Sequence, residues 1–213
     1  MTISLKFSPT MIIVGVLLLI YPLVVTPFWA VQIGANALIL GMIALTIVFL
    51  AGYGGMISLA QVTVAGVAGY SIAYFGINNV GVGILLPWPV GVLIALTLGT
   101  FAGFLIGLIS VRTQGIYMLM ITLALSVVFF YFARQNYTLF NGFTGFNGVT
   151  APVVGGIDLR GPVVFYYLCL VAAGLSYGFV RYIERSPFGL ALQGIRDNER
   201  RMRALGYWVG FHR

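Results

Sequence analysis

The residues of this sequence that could do chemistry are few, and they fall in two places. Inside long apolar runs stand Asn36, Ser58, Gln61, Thr63, Thr122 and Ser126. A polar group taken out of water must find a hydrogen-bond partner or line a wet cavity. Gln61 is the largest of the six and the costliest to bury unpaired. Two readings stay open for the set: hydrogen bonds between helices, or the lining of a path through a bilayer. The second place is the tail from Arg181 to Arg213, which holds seven of the eleven basic residues and three of the four acids.

Several chemistries are excluded by what is missing. Lys6 is the only lysine, so there is no phosphate-binding loop with its lysine, and the chain cannot hydrolyse ATP by that route. His212 is the only histidine, which removes Ser/His catalysis and makes a His/Cys metal site implausible. No acid lies inside an apolar run, which argues against an intramembrane aspartyl protease and against a carboxylate proton relay. Cys169 is the single cysteine; it cannot form an internal disulfide, and its apolar surroundings suit packing. The expectation is a protein that is not an enzyme and holds no metal or cofactor of its own.

The elements that must position the polar residues follow from composition. Hydrophobic residues make up 61% of the chain and charged residues 7%, with a mean hydropathy of +1.06. Soluble domains carry about 25% charged residues. The fold class is therefore all-α, a polytopic helical membrane protein with room for about six spans of about 20 residues. The runs read as spans near 10–29, 33–51, 56–75, 84–109, 115–133 and 162–180. A cleaved signal peptide ending at Ala30 is the alternative for the first run, but Phe28 and Trp29 are poor neighbours for a small-residue cleavage site. The run at 56–75 is the least apolar, and its glycines and polar residues would also suit a broken or re-entrant segment. The fourth span is entered through Pro87-Trp-Pro89. Between the fifth and sixth lies a loop at 135–161 whose Asn141-Gly-Phe-Thr-Gly-Phe-Asn-Gly148 is turn chemistry.

Charge sets the orientation. The basic tail belongs in the cytoplasm, which places Arg112 and Lys6 inside, the 135–161 loop outside, and both termini inside. The net charge of +7 is explained by this bias, so nucleic acid is not a partner. Gly99, Gly103 and Gly107 repeat every four residues and form a smooth ridge for helix packing, as do Ala65, Gly69 and Ala73.

The tail, 181–213, has helical signals of its own. Ser186 can cap a helix with Pro187 at its first position, and Phe188, Leu192 and Ile195 then share one face. Asp197 or Asn198 can cap a second short helix carrying Met202 and Leu205, with Gly206 as its stop. Arg196, Arg200, Arg201 and Arg203 are expected to face outward. The tail is either a loop that only fixes topology or a docking surface for a soluble partner.

Three stretches together resemble one family. Gly54-Gly-Met-Ile-Ser-Leu-Ala-Gln-Val-Thr-Val-Ala-Gly-Val-Ala-Gly-Tyr70, Arg112-Thr-Gln-Gly-Ile-Tyr-Met-Leu-Met-Ile-Thr-Leu-Ala124 and Arg185-Ser-Pro-Phe-Gly…Ile-Arg-Asp-Asn-Glu-Arg-Arg…Ala-Leu-Gly-Tyr207 are similar, in order, to segments of branched-chain amino acid ABC permeases of the LivM type. The resemblance implies an importer subunit in the bacterial inner (plasma) membrane. It implies a second permease subunit, paralogue or self, two ATP-binding subunits that carry the ATP and magnesium, and a periplasmic or lipid-anchored substrate-binding protein. It also makes residues 181–213 a coupling loop, with Phe188, Gly189, Gly194, Ile195, Arg196, Asp197 and Glu199 at the ATPase contact, and it leads one to expect a seventh span where this chain stops. Urea or short amides are alternative substrates within the family. A structural membrane subunit that transports nothing is the alternative from another class.

Overall fold

The computed structural model describes residues 9–76, 83–113, 115–149, 153–154 and 157–209. Helix α1 is Pro9–Val24 and α2 is Pro27–Gly54, which contains a π-helical turn at Ala30–Ala35. Then come α3 (Gln61–Phe75), α4 (Trp88–Ser110), α5 (Ile116–Gln135) and the single turn α6 (Tyr137–Phe140). Two-residue strands β1 (Val153–Val154) and β2 (Ile157–Asp158) pair antiparallel. The chain continues through α7 (Pro162–Arg185), α8 (Pro187–Asp197) and α9 (Glu199–Ala204). Four of these, α2, α4, α5 and α7, are long and apolar enough to cross a bilayer. The architecture is all-α and polytopic.

Helix ends depart from the expected spans, most clearly at three places, and the expected fourth span is helical only from Trp88. The run at 10–29 is not one helix. Thr26, held extended by the proline after it, breaks the chain, and Pro27 opens α2 at a position where its missing N–H costs nothing. The run at 56–75 is helical only from Gln61; residues 55–59 are not helical. At 15 residues, α3 covers about 22 Å against a hydrocarbon core of about 30 Å. Helix α7 does not stop near 180 but continues to Arg185, so the charged tail begins inside it.

The chain forms two compact units, one from Met1–Met42 and Ala151–Gly178, the other from Ile43–Thr150 and Phe179–Arg213. In the first, Pro22 sits inside α1 and has no N–H to give the Leu18 carbonyl four residues back. The Tyr166 hydroxyl donates to that carbonyl at 2.9 Å, and Tyr167 donates to the neighbouring Leu19 carbonyl at 3.0 Å. Tyr166 is fully buried with Ala35 and Cys169. Gly34 lies against the rings of Tyr21 and Tyr166, and a Cβ there would stand 2.7 Å from each.

In the second unit α3 packs along α4. A Cβ on Gly99 would stand 3.3 Å from the Ala68 methyl, and one on Gly103 would stand 3.6 Å from Val64. These two glycines therefore let the helices close, whereas Gly107 has no such neighbour within 4 Å. The face of α3 that meets α4 is Val64 and Ala68; Ala65 and Gly69, which shared the expected ridge, are exposed. The extended entrance to α4 caps α3: the N–H groups of Ile84 and Leu86 donate to the Tyr74 and Phe75 carbonyls, each at 3.2 Å.

Candidate functional site

The polar residues of the second unit gather around the non-helical stretch before α3. Helix α2 ends at Gly54, and Gly55 takes a left-handed conformation (φ +65°) that lets the Met56 N–H reach back to the Leu50 carbonyl at 3.2 Å. The chain then leaves helical geometry, no strand among the described residues pairs with it, and α5 supplies backbone partners. Thr122 Oγ1 accepts from the Leu59 N–H at 3.2 Å while donating to the Leu119 carbonyl at 3.1 Å. One turn on, Ser126 Oγ lies 2.8 Å from the Thr122 carbonyl and 3.4 Å from the Leu59 carbonyl. Ser58 Oγ accepts from the Ala60 N–H at 3.3 Å. Non-helical backbone is tolerated at membrane depth only when satisfied within the protein or facing a wet cavity. Ser58, Thr122 and Ser126 provide the first condition here.

Gln61, the first residue of α3, follows directly. Its Oε1 is the one buried side-chain nitrogen or oxygen among the described residues that lacks a hydrogen-bond partner. Thr63 is buried one step further on, in the wall of a cavity of about 540 Å³. Tyr70 of α3 and Ser126, Phe129, Phe130 and Arg134 of α5 also line it, and residues 142–145 close it. Arg134 is half-buried, with its guanidinium 3.6 Å from the centre of the Phe143 ring and 5.7 Å from that of Phe130. No carboxylate or carbonyl among the described residues pairs with it, and no acid lines the cavity.

Asn36, grouped with these residues by sequence, lies in the other unit. Its side-chain amide donates to the Gln32 carbonyl at 2.9 Å, at the end of the π-helical turn. Its hydrogen bond is local to its own helix.

The loop at 141–148 does more than turn. Asn141, Gly142, Gly145 and Gly148 all take positive φ, and the Asn141 amide donates to the Gly145 carbonyl at 2.8 Å. A Cβ on Gly142 would stand 2.5 Å from the Tyr137 ring, so glycine is required for that approach. This folding carries Phe143 to Arg134, and sets Phe146 at 6.3 Å from the Tyr70 ring and 6.4 Å from that of Tyr74. Neither Arg134 nor the loop was picked out from sequence as part of a site. The available signal was the spacing of Phe140, Phe143 and Phe146 at every third residue between glycines, directly after a lone arginine at the end of an apolar run.

The tail forms the helical pair that its caps predict. Ser186 Oγ accepts from the Gly189 N–H at 3.2 Å, and Asn198 Oδ1 accepts from the Arg201 N–H at 3.0 Å. Leu192 and Ile195 are buried, and Ile195 shares a small core with Ala191, Met202 and Val209. Phe188 is exposed. The glycines allow approach within the chain itself: a Cβ on Gly189 would stand 2.3 Å from the Ile183 carbonyl oxygen, and one on Gly194 would stand 2.7 Å from the Met202 sulfur. Leu205, expected beside Met202, is exposed. Arg196 pairs with Asp197 at 2.8 Å and donates to the Gly52 carbonyl, with its stem over Gly55. Glu199 pairs with Arg203. Glu184 pairs with Arg181 at 2.9 Å. Through Arg196 the tail is fastened to the end of α2, where the non-helical stretch begins.

Comparison with known proteins gives one family. The model described as branched-chain amino acid transport system / permease component matches residues 29–213. Over 153 residues the chain is 29% identical to the "Probable branched-chain amino acid transport permease protein LivM" of Methanocaldococcus jannaschii. That match covers 66% of this chain and 41% of the relative, so the chain spans less than half of that relative's length. No solved structure matches.

Proposed function

This chain belongs to the family of branched-chain amino acid transport system permease components, and from that premise we propose that it is the transmembrane subunit of an ABC importer for branched-chain or related amino acids. The observation that carries the proposal is the family match over residues 29–213. In this reading the chain lies in the plasma membrane with six spans and both termini in the cytoplasm. It works with a second permease subunit, two ATP-binding subunits that hold ATP and magnesium, and a substrate-binding protein on the outer side. The short helix α3 completes its crossing with the non-helical residues before it.

The path in this reading passes Gln61, Thr63 and Ser126, and the coupling element is α8 with α9. Ile195 and Leu192 are buried within the chain, so they shape the element, and contact with an ATPase falls to its exposed side at Phe188, Asp197 and the arginines. A push on α8 reaches the 52–60 stretch through Arg196, because that side chain grips the Gly52 carbonyl and lies over Gly55. A conformational step of this kind completes many transport and catalytic cycles.

The test is uptake of radiolabelled L-leucine into ATP-loaded membrane vesicles from the native host, with and without this gene. Loss of ATP-dependent leucine uptake on deletion is expected. Uptake of urea or acetamide lost in its place would move the substrate to the amide branch. No change for any of these solutes would refute the proposal.

A further inference from the structure

The cavity between α3, α5 and the 142–145 loop has a charge pattern of its own. One cation, Arg134, stands in its wall, and no acid does. The guanidinium is laid against the Phe143 ring at 3.6 Å. Stacking on an aromatic face leaves the N–H donors along the guanidinium edge, and none of them meets a carboxylate or carbonyl among the described residues. A planar fork of donors fixed in this way matches a carboxylate in a bidentate pair. Thr63, Ser126 and Thr144 add hydroxyls, and the rest of the lining is largely hydrocarbon and aromatic, with Val62, Tyr70 and Phe129 facing the same space. At about 540 Å³, the cavity is of the size that takes small molecules.

We propose that this cavity seats the substrate by its carboxylate on Arg134, with the aliphatic side chain against Tyr70, Phe129 and Val62. The inference rests on reading this chain as an amino acid permease subunit, and it adds the chemical rule by which the subunit recognises its cargo. Because no acid lines the cavity, the amino group has no ionic partner there. Selection is by the carboxylate and the branched hydrocarbon, and the ammonium is dispensable.

The experiment uses the full-length subunit in phosphatidylcholine nanodiscs, which present no net anionic headgroup to compete for the arginine. Thermal-shift titrations are run with three probes of one skeleton: L-leucine, 4-methylpentanoate and L-leucinamide. Leucine and 4-methylpentanoate are expected to stabilise the protein at similar concentrations, and leucinamide is expected to have no effect. Arg134→Gln should weaken binding of both carboxylates by about tenfold to a hundredfold, the range for losing hydrogen bonds to a charged group. Arg134→Lys, which keeps the charge but not the fork, should fall between. Leucinamide binding as well as leucine in the unaltered protein would overturn the inference, and that comparison stands even if the Gln variant does not fold. Binding of leucine within twofold of normal by a folded Arg134→Gln variant would overturn it too, as would no response to either carboxylate. Vesicle uptake separates this from the proposed function. Uptake that persists while the carboxylate rule fails removes the inference alone, and absent uptake removes the function.

Discussion

Around Tyr166, polar side chains close on backbone that a proline has left open; around Gln61 they do not close. In the first unit, Pro22 strips the Leu18 carbonyl of its helical donor, and Tyr166 supplies one from α7 at 2.9 Å. The Asn36 amide likewise goes to a carbonyl of its own helix. In the second unit, Thr122 accepts from the Leu59 N–H and Ser126 lies 3.4 Å from the Leu59 carbonyl, yet the Gln61 Oε1 beside them is buried without a partner, and Arg134 stacks on rings rather than pairing with an anion. The contrast separates two uses of polarity in an apolar chain. A polar side chain that answers a defect in the backbone is part of the fold. One that is left over, beside a cavity or buried with its valence unfilled, is available to a partner or a solute.

The contrast breaks most sharply at Gln61. Replacing it with leucine removes a buried unpaired oxygen, whose desolvation costs about 1–3 kcal/mol. Gln61→Leu should therefore leave the amount of folded subunit in the membrane unchanged or raised, while leucine uptake is abolished. Loss of the subunit from the membrane would mean that Gln61 belongs with Tyr166 as part of the fold. Normal uptake would mean that it does neither job.

Tyr166→Phe should show the opposite pattern. It leaves the Leu18 carbonyl buried and unpaired, lowering stability by about 1–3 kcal/mol with uptake per folded subunit unchanged. Pro22→Ala restores the N–H that the carbonyl lacks. In the double variant the loss of the Tyr166 hydroxyl should matter less, by about 1 kcal/mol in a thermal-unfolding cycle. Strict additivity would show that the proline does not create the need for the tyrosine.

Thr122 comes next in size. Thr122→Val keeps the shape and removes the acceptor of the Leu59 N–H, for a cost of about 1–2 kcal/mol; Thr122→Ser should recover most of it. Equal melting temperatures for the Val and Ser variants would show that the non-helical stretch before α3 is held by packing alone.

Local signals in the sequence were the legible ones. Ser186, Pro187, Asn198 and Gly206 fix the ends of α8 and α9 by chemistry within a few residues, so the tail could be read helix by helix. Which partner a face meets was not legible. The Phe188, Leu192 and Ile195 face was plain, but only the folded chain shows that Met202 and Val209 cover Ile195. The same limit hid the role of Tyr166, because its partner lies 148 residues away and the need for it arises at Pro22. The break at Thr26 is local, but the run from Thr10 to Trp29 is apolar throughout and hydropathy does not register a proline. The cavity was hidden for a further reason: it depends on four positive-φ positions that bring a loop back onto a helix.

The three-glycine repeat of α4 shows how far spacing reaches, and it carries the smallest expected effects. A repeat every four residues says that three glycines share a face, but not how far along the helix a neighbour accompanies them. A Cβ on Gly99 would stand 3.3 Å from the Ala68 methyl, closer than side chains ordinarily pack, whereas one on Gly107 would have no neighbour within 4 Å. Adding a methyl at Gly99 forces α3 and α4 apart by a few tenths of an ångström and should destabilise by about 1 kcal/mol. At Gly107 the added methyl meets nothing, and it removes the conformational freedom that makes glycine a poor helix residue. Gly107→Ala should therefore stabilise by about 0.5–1 kcal/mol. The two substitutions are the same change on the same stripe of one helix, and they should move the melting temperature in opposite directions. A loss of stability at Gly107 equal to that at Gly99 would mean that a partner outside this chain packs on the far end of the stripe.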